Sequence, residues 1–223
     1  MLAADYRGPR RMRVASKADP VIQHPRDAIV RVTRSCICGS DLHLYNGLVP
    51  DTRIGTTFGH EFCGIVEEVG GAVANFKPGD AVLISCVTSC GRCANCKRRL
   101  YAHCADGGWI LGHKIDGTQA EYVRIPHGDN SLYPIPEGSD DEALVMLSDI
   151  MPTGMEIGVQ AGGVKPGDTV AIVGAGPVGM SVLLTAQFYS PGRIIMIDMD
   201  PARALDRSLR RLASEPATTS AVA

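Results

Sequence analysis

The stretch that decides the fold runs from residue 169 to residue 198: TVAIVGAGPVGMSVLLTAQFYSPGRIIMID. TVAIV is a continuous apolar run that fits a strand buried on both faces, and RIIMI is a second. Between them, GAGPVG (174–179) opens a helical segment from Pro177 to about Tyr189, so the unit reads as strand, helix and parallel strand. A G-x-G-x-x-G turn in that position, with Asp198 ending the next strand 24 residues beyond Gly174, has the spacing of a dinucleotide-binding fingerprint. Gly174 allows the tight turn, Gly176 lets a pyrophosphate approach backbone amides, and Gly179 lets helix and strand pack closely. Pro177 and Val178 complete the loop, and Asp198 is the acceptor for the adenosine ribose. The competing reading is a glycine cluster that does no more than start a helix.

Working outward toward the N-terminus, Ser139, Asp140 and Asp141 make a helix start, and apolar residues recur at near-helical spacing to about 161. The texture before that point is different. Residues 26–35, 62–69 and 80–87 read as strands, separated by turns such as Gly70-Gly71 and Lys77-Pro78-Gly79-Asp80, with no long helix. The expected organisation is a β-rich domain over 1–150, a partial α/β domain over 151–212, and a small, polar, disordered tail over 213–223.

The chain has 223 residues, 45% of them hydrophobic and 21% charged, with a formal net charge of −2. That balance offers no concentrated positive field for nucleic acid or an anionic membrane. No stretch is apolar for long enough to serve as a signal-peptide core or a membrane span, so the expected compartment is the cytoplasm. Eight cysteines in a reducing compartment read as metal ligands or packing residues rather than disulfides.

Four of them, Cys90, Cys93, Cys96 and Cys104, follow C-x2-C-x2-C-x7-C within a lobe at about 86–105. Four thiolates so spaced can converge on one tetrahedral zinc and fix a loop that has no core of its own; a redox pair is the alternative. A second constellation is scattered: CGSDLH (38–43), GHE (59–61) and SDIMPTG (148–154). Cys38, His60 and Asp149 offer a thiolate, an imidazole and a carboxylate, a set that leaves a fourth zinc position open. Each alone is weak, and the case depends on the three occurring together.

Taken in order, CGSDLH, GHEFCGIVEEVG, the four-cysteine lobe, SDIMPTG and GAGPVG resemble the zinc-dependent medium-chain alcohol dehydrogenases, and the aspartate ligand resembles their formaldehyde-dehydrogenase-like and bacterial secondary-alcohol branch. The resemblance covers about residues 10–205. It implies a GroES-like catalytic domain holding two zinc ions per chain, followed by a Rossmann domain for NAD with the active site in the cleft between. It also implies an alcohol or carbonyl substrate and homo-oligomers of the full-length members.

By motif position, Cys38, His60 and Asp149 are implied ligands of the catalytic zinc, with Asp41 and Glu61 as carboxylates orienting them. Ser40 and His43 are the implied proton relay that carries the alcohol's proton to solvent as hydride leaves for the nicotinamide. Ser40 as a turn-capping hydroxyl and His43 as a surface histidine stay open. Phe58 and Trp109 are either pocket walls or ordinary core aromatics, and Cys36, Cys63 and Cys86 read as small packing residues. Members of that family are longer, and past Ala204 the resemblance fades into an end that reads as a truncation or frameshift product. Two expectations therefore stand together: an NAD-dependent alcohol dehydrogenase, or a zinc-binding remnant of one in which the chain alone turns over little or nothing.

Overall fold

The computed structural model describes residues 1–204; the tail expected to be disordered at 213–223 lies outside the described residues. The chain divides into two compact units, Met1–Asp149 and the residues from Ile150 onward.

The first unit is built on an antiparallel five-stranded sheet. A hairpin of β1 (Leu2–Tyr6) and β2 (Met12–Ser16) precedes it. The sheet has the order β6-β3-β4-β5-β7, with β3 at Ala28–Ser35, β4 at Phe62–Val69, β5 at Ala81–Ile84, β6 at Tyr122–Ile125 and β7 at Leu132–Pro134. Its core is β-branched and aromatic: Val30, Phe62, Val66, Val82, Ile84 and Ile125 are all buried. Residues 28–30 are buried consecutively, against the alternation that a strand dictates, because a register shift between Ile29 and Val30 turns the chain by one residue.

Short helices occupy the crossings: α1 (Gly39–Tyr45), α2 (Ala94–Lys97), α3 (Gly128–Ser131) and α4 (Asp141–Leu144). The strand expected at 80–87 stops at Ile84. The Cys86 amide donates to the Ser148 carbonyl (3.0 Å), so the chain leaves the sheet to meet the segment that carries Asp149.

The helix expected from 139 to about 161 is real in its start and fractured in its course. Asp140 caps it by accepting from the Glu142 amide (2.9 Å). After α4 the chain passes through a 3-10 turn at Val145–Leu147, then α5 (Ile150–Thr153) and wider π-type turns over Gly154–Gln160. Pro152 supplies no N–H to a continuous ladder, which accounts for part of the break.

In the second unit, β8 (Thr169–Val173) pairs in parallel with β9 (Arg193–Ile197), connected by α6 (Pro177–Ala186) and followed by α7 (Pro201–Ala204). Ile172, Leu183, Ala186, Ile194 and Met196 form its core with Val159 from the π-type turns. A Cβ on Gly158 would lie 2.3 Å from the Val182 side chain, so the missing side chain lets those turns lie directly on α6. Among the described residues β8 has the single partner β9, and Val173 is 83% exposed. No helix among the described residues is long and apolar enough to cross a membrane.

Candidate functional site

The lobe cysteines come together. The ligand atoms of Cys90, Cys93, Cys96 and Cys104 all lie within 4.8 Å of one another, and the sulfurs of Cys90 and Cys96 are 4.0 Å apart. A tetrahedral zinc with bonds of about 2.3 Å needs sulfurs about 3.8 Å apart, so the cage has the right size. Backbone amides point at the sulfurs: Cys90 N–H at Cys104 Sγ (3.2 Å), Cys93 N–H at Cys90 Sγ (3.4 Å) and Cys96 N–H at Cys93 Sγ (3.4 Å). Such donors favour thiolates. The Ala105 and Cys96 amides lower the Cys93 thiol to about 6, whereas burial and the neighbouring thiols push Cys96 up to about 12. The sulfurs of one cage thus differ in how readily they ionise, the Cys93 thiol being held low by amides and the Cys96 thiol high by burial. Every cysteine in the chain is free of disulfide bonding.

Cys38, His60 and Asp149 also converge, from three elements far apart in sequence. Cys38 precedes α1, His60 lies two residues before β4, and Asp149 closes the first unit before α5. Their ligand atoms lie within 4.8 Å of one another. His60 Nε2 is 3.2 Å from Asp149 Oδ2, and Cys38 Sγ is 3.8 Å from the same oxygen. Tetrahedral zinc requires about 3.3 Å and about 3.6 Å for these pairs.

His60 is 1% exposed, and neither of its ring nitrogens makes a hydrogen bond. Burial alone would lower its pKa. The nearby carboxylates of Asp149 and Asp41 and the Cys38 sulfur outweigh that and push it up to about 12, a field that favours a cation.

Asp41 holds this arrangement together. Its carboxylate accepts from the amides of Cys38 (2.9 Å) and Gly59 (3.1 Å) and from Gln119 Nε2 (3.3 Å), and Oδ1 stands 3.6 Å from His60 Nδ1. The two residues preceding or forming ligands are therefore tied to one buried carboxylate. Gly59 adopts φ +98°, and a Cβ there would lie 2.5 Å from Thr118 Oγ1, so only glycine delivers His60 at this angle.

Glu61 is buried beside the cluster, near enough for its charge to raise the Cys36 thiol, though burial is the larger cause. Ser40 Oγ is 3.4 Å from Cys38 Sγ, and His43, one turn along α1, is exposed. Phe58 is buried against Tyr6 and Leu44. The half-buried Trp109 meets the His60 ring edge-on (centroids 6.0 Å, 89°).

Cys63 packs as expected, with Leu83 and Val145. Cys86 does more than pack. Burial and then the charge of Asp149 hold its thiol protonated, and it hydrogen-bonds Asp149. Gln119 and Cys86 had no local signal in the sequence, because both reach the centre from strands and loops remote from its motifs.

In the glycine turn, Gly174 takes φ +101°, a conformation that suits glycine. A Cβ on Gly179 would lie 1.8 Å from the Gly174 carbonyl oxygen, so α6 starts in direct contact with the end of β8. At Gly176 a Cβ would meet only Arg203, 3.8 Å away, which leaves that backbone open for a ligand to approach. Asp198 Oδ2 accepts from the Ala175 amide (2.6 Å) and Oδ1 from the Asp200 amide (2.7 Å). Those amides hold its carboxyl below the usual range, so it stays anionic.

Residues 24–137 match the family model of the alcohol dehydrogenase GroES-like domain. The chain is 37% identical over 221 residues to zinc-type alcohol dehydrogenase B of Aspergillus flavus, covering 97% of this chain and 51% of that protein. A medium-chain reductase/dehydrogenase of Acremonium is 37% identical over 208 residues, with 91% and 71% covered. Among solved structures, zinc-dependent alcohol dehydrogenase 2 from Streptococcus pneumonia superimposes with a TM-score of 0.89 at 53% identity over 96% of this chain and 60% of that one. The alcohol dehydrogenase TADH from Thermus sp. ATN1 gives 0.88 at 36% identity, over 98% and 63%. The chain thus spans about half the length of the Aspergillus protein. With its GroES-like domain and the small α/β portion that follows, it belongs to the zinc-type, medium-chain alcohol dehydrogenase family.

Proposed function

We propose that the chain carries the catalytic half of an oxidoreductase that exchanges hydride between an alcohol, or the matching carbonyl compound, and NAD. The observation that carries this reading is the convergence of Cys38, His60 and Asp149 at tetrahedral spacing around a buried histidine with no hydrogen bond of its own. Zinc held there would supply Lewis acidity that makes an alcohol's hydroxyl easy to deprotonate. A second zinc in the four-cysteine cage would be structural.

The chain's own residues account for the remaining steps. Asp41 keeps His60 turned toward the centre and fixes the Cys38 backbone. Ser40, beside the Cys38 sulfur, takes the hydroxyl proton and hands it to His43, whose exposure gives it to solvent. Gly174, Gly176 and Gly179, with Pro177 and Val178, admit the pyrophosphate, and Asp198 receives the ribose hydroxyls, its charge favouring NAD over a 2′-phosphorylated coenzyme. Eight unpaired cysteines support a reducing compartment such as the cytoplasm.

A second reading, zinc binding without turnover by this chain alone, is favoured by the exposed Val173 on a β8 strand that has one partner among the described residues. A single experiment separates the two: zinc counting together with NAD reduction over a panel of small alcohols, run on the 223-residue chain. Two zinc ions with alcohol-dependent NADH support the enzyme reading; two zinc ions without NADH support the second. One zinc or none would overturn both.

A further inference from the structure

Beside the proposed catalytic centre lies a relay of rings and charges that no part of the proposed chemistry uses. His113 is buried, at 9% exposure, in a tight turn where the amides of His113, Lys114 and Ile115 all donate to the Ile110 carbonyl. Its ring lies over the indole of Trp109 (centroids 4.8 Å, 31°), and that indole meets the His60 ring edge-on at 6.0 Å. The other side of His113 is held too. Its Nε2 is 2.9 Å from Oδ1 of Asp51, which lies in the loop following α1, and the second Asp51 oxygen pairs with Lys114.

A partly exposed aspartate thus reaches across from one loop, grips a buried imidazole, and that imidazole lies over the one ring in contact with His60. A surface ion pair alone would need no buried partner and no ring stack. Lys114 and then His113 pull the Asp51 carboxyl down to about 2, so the grip is charged throughout the physiological range.

We propose that Asp51 and His113 are positioning residues that hold the Trp109 indole against His60 and so fix one apolar wall of the Cys38/His60/Asp149 centre. The proposal rests on the reading of that centre as a metal site and deepens it. Trp109 is the chain's single tryptophan, so the emission of the intact protein reports this one indole.

In the zinc-loaded chain, whose closed-shell ion does not quench indole, His113→Ala is expected to raise acrylamide quenching of that emission roughly twofold and to lower its anisotropy, as a clamped ring gains nanosecond freedom. Asp51→Asn, a substitution at an exposed position that leaves the core untouched, shifts both in the same direction by less, and Asp51→Glu restores most of the wild-type values. Unchanged quenching and anisotropy in both His113→Ala and Asp51→Asn would overturn the proposal.

Cobalt supplies the second readout. Wild type is expected to lose more Trp109 emission on cobalt addition than Cys38→Ser, which keeps only the lobe site, and His113→Ala to lose most of that difference. If His113→Ala retains the full difference, the wall does not depend on the clamp and the proposal fails. Equal quenching of wild type and Cys38→Ser would overturn the metal reading of the centre, a separate failure, because the acrylamide and anisotropy measurements judge the clamp by themselves.

Discussion

The two cysteine-bearing centres of the first unit are built on opposite principles. The lobe draws all four sulfurs from one short segment, with amides of that same segment donating to the sulfurs. The other centre draws its donors from positions as far apart as Cys38 and Asp149, which no single segment could bring together. Its geometry comes from the sheet that carries His60, from α1, and from Asp41, whose carboxylate joins them. On the proposed reading the lobe would gain folding energy directly from a metal, whereas the second centre is held by the fold around it. A structural site and a reactive site would differ in this way because the reactive one must keep its form while a substrate comes and goes.

Substitution at the lobe is expected to have the largest effect. Cys93→Ser or Cys96→Ser removes a metal whose binding is itself folding energy, and a cost of about 3 kcal/mol or more corresponds to a melting temperature lower by roughly 10 °C. Cys38→Ser should leave the lobe metal in place and the melting temperature within about 3 °C of wild type. Metal counting with thermal unfolding on the same samples checks both. Equal destabilisation by the two kinds of variant would break the contrast.

Asp41→Asn tests the other side of it. Asn keeps one acceptor oxygen for the amides of Cys38 and Gly59 but loses the charge that faces His60. Metal affinity at the Cys38 centre should fall about 10- to 100-fold, with the lobe unaffected, as read by competition with a chelating dye. An unchanged affinity would mean that the centre, like the lobe, is shaped by its metal.

The smallest effect is chemical rather than energetic. In metal-free protein the Cys93 thiol is lowered to about 6 and Cys96 raised to about 12. The Cys93 thiolate is therefore present above about pH 6 and is lost as the pH falls through that value. Iodoacetamide at pH 7 should modify Cys93 well before Cys96, and the rate of Cys93 labelling should fall about tenfold at pH 5. Peptide mapping after brief labelling decides it, and equal labelling at pH 7 would remove the proposed division of roles within the cage.

The same contrast explains what was legible in the sequence. C-x2-C-x2-C-x7-C is visible because its donors are local, and so is the β8–α6–β9 unit, whose apolar runs and glycine turn lie in sequence order. β1, β2, β6 and β7 were missed, being three to five residues long with little alternation to see. The helical stretch from Asp141 was visible in its start, while its breaks depend on Pro152 and on glycines packed against α6. Cys38, His60 and Asp149 were legible only weakly, as three donor types occurring together in order, since three isolated residues carry no periodicity, and the family resemblance strengthened the set. The Asp51–His113 pair, 62 residues apart, had no signal at all.

The span of each centre also sets when it can form. Closing a loop costs about 0.6 kcal/mol more for each doubling of its length, and Cys38 is 111 residues from Asp149 whereas Cys90 is 14 from Cys104, a difference of about 2 kcal/mol. Translation adds a further delay. Asp149 is made 45 residues after Cys104, which at about 5 to 20 residues per second takes about 2 to 9 s. On the ribosome the lobe is therefore complete while the other centre still lacks its carboxylate. On the proposed reading, when zinc is scarce the order of synthesis would offer the first ion to the scaffold and the second to the chemistry.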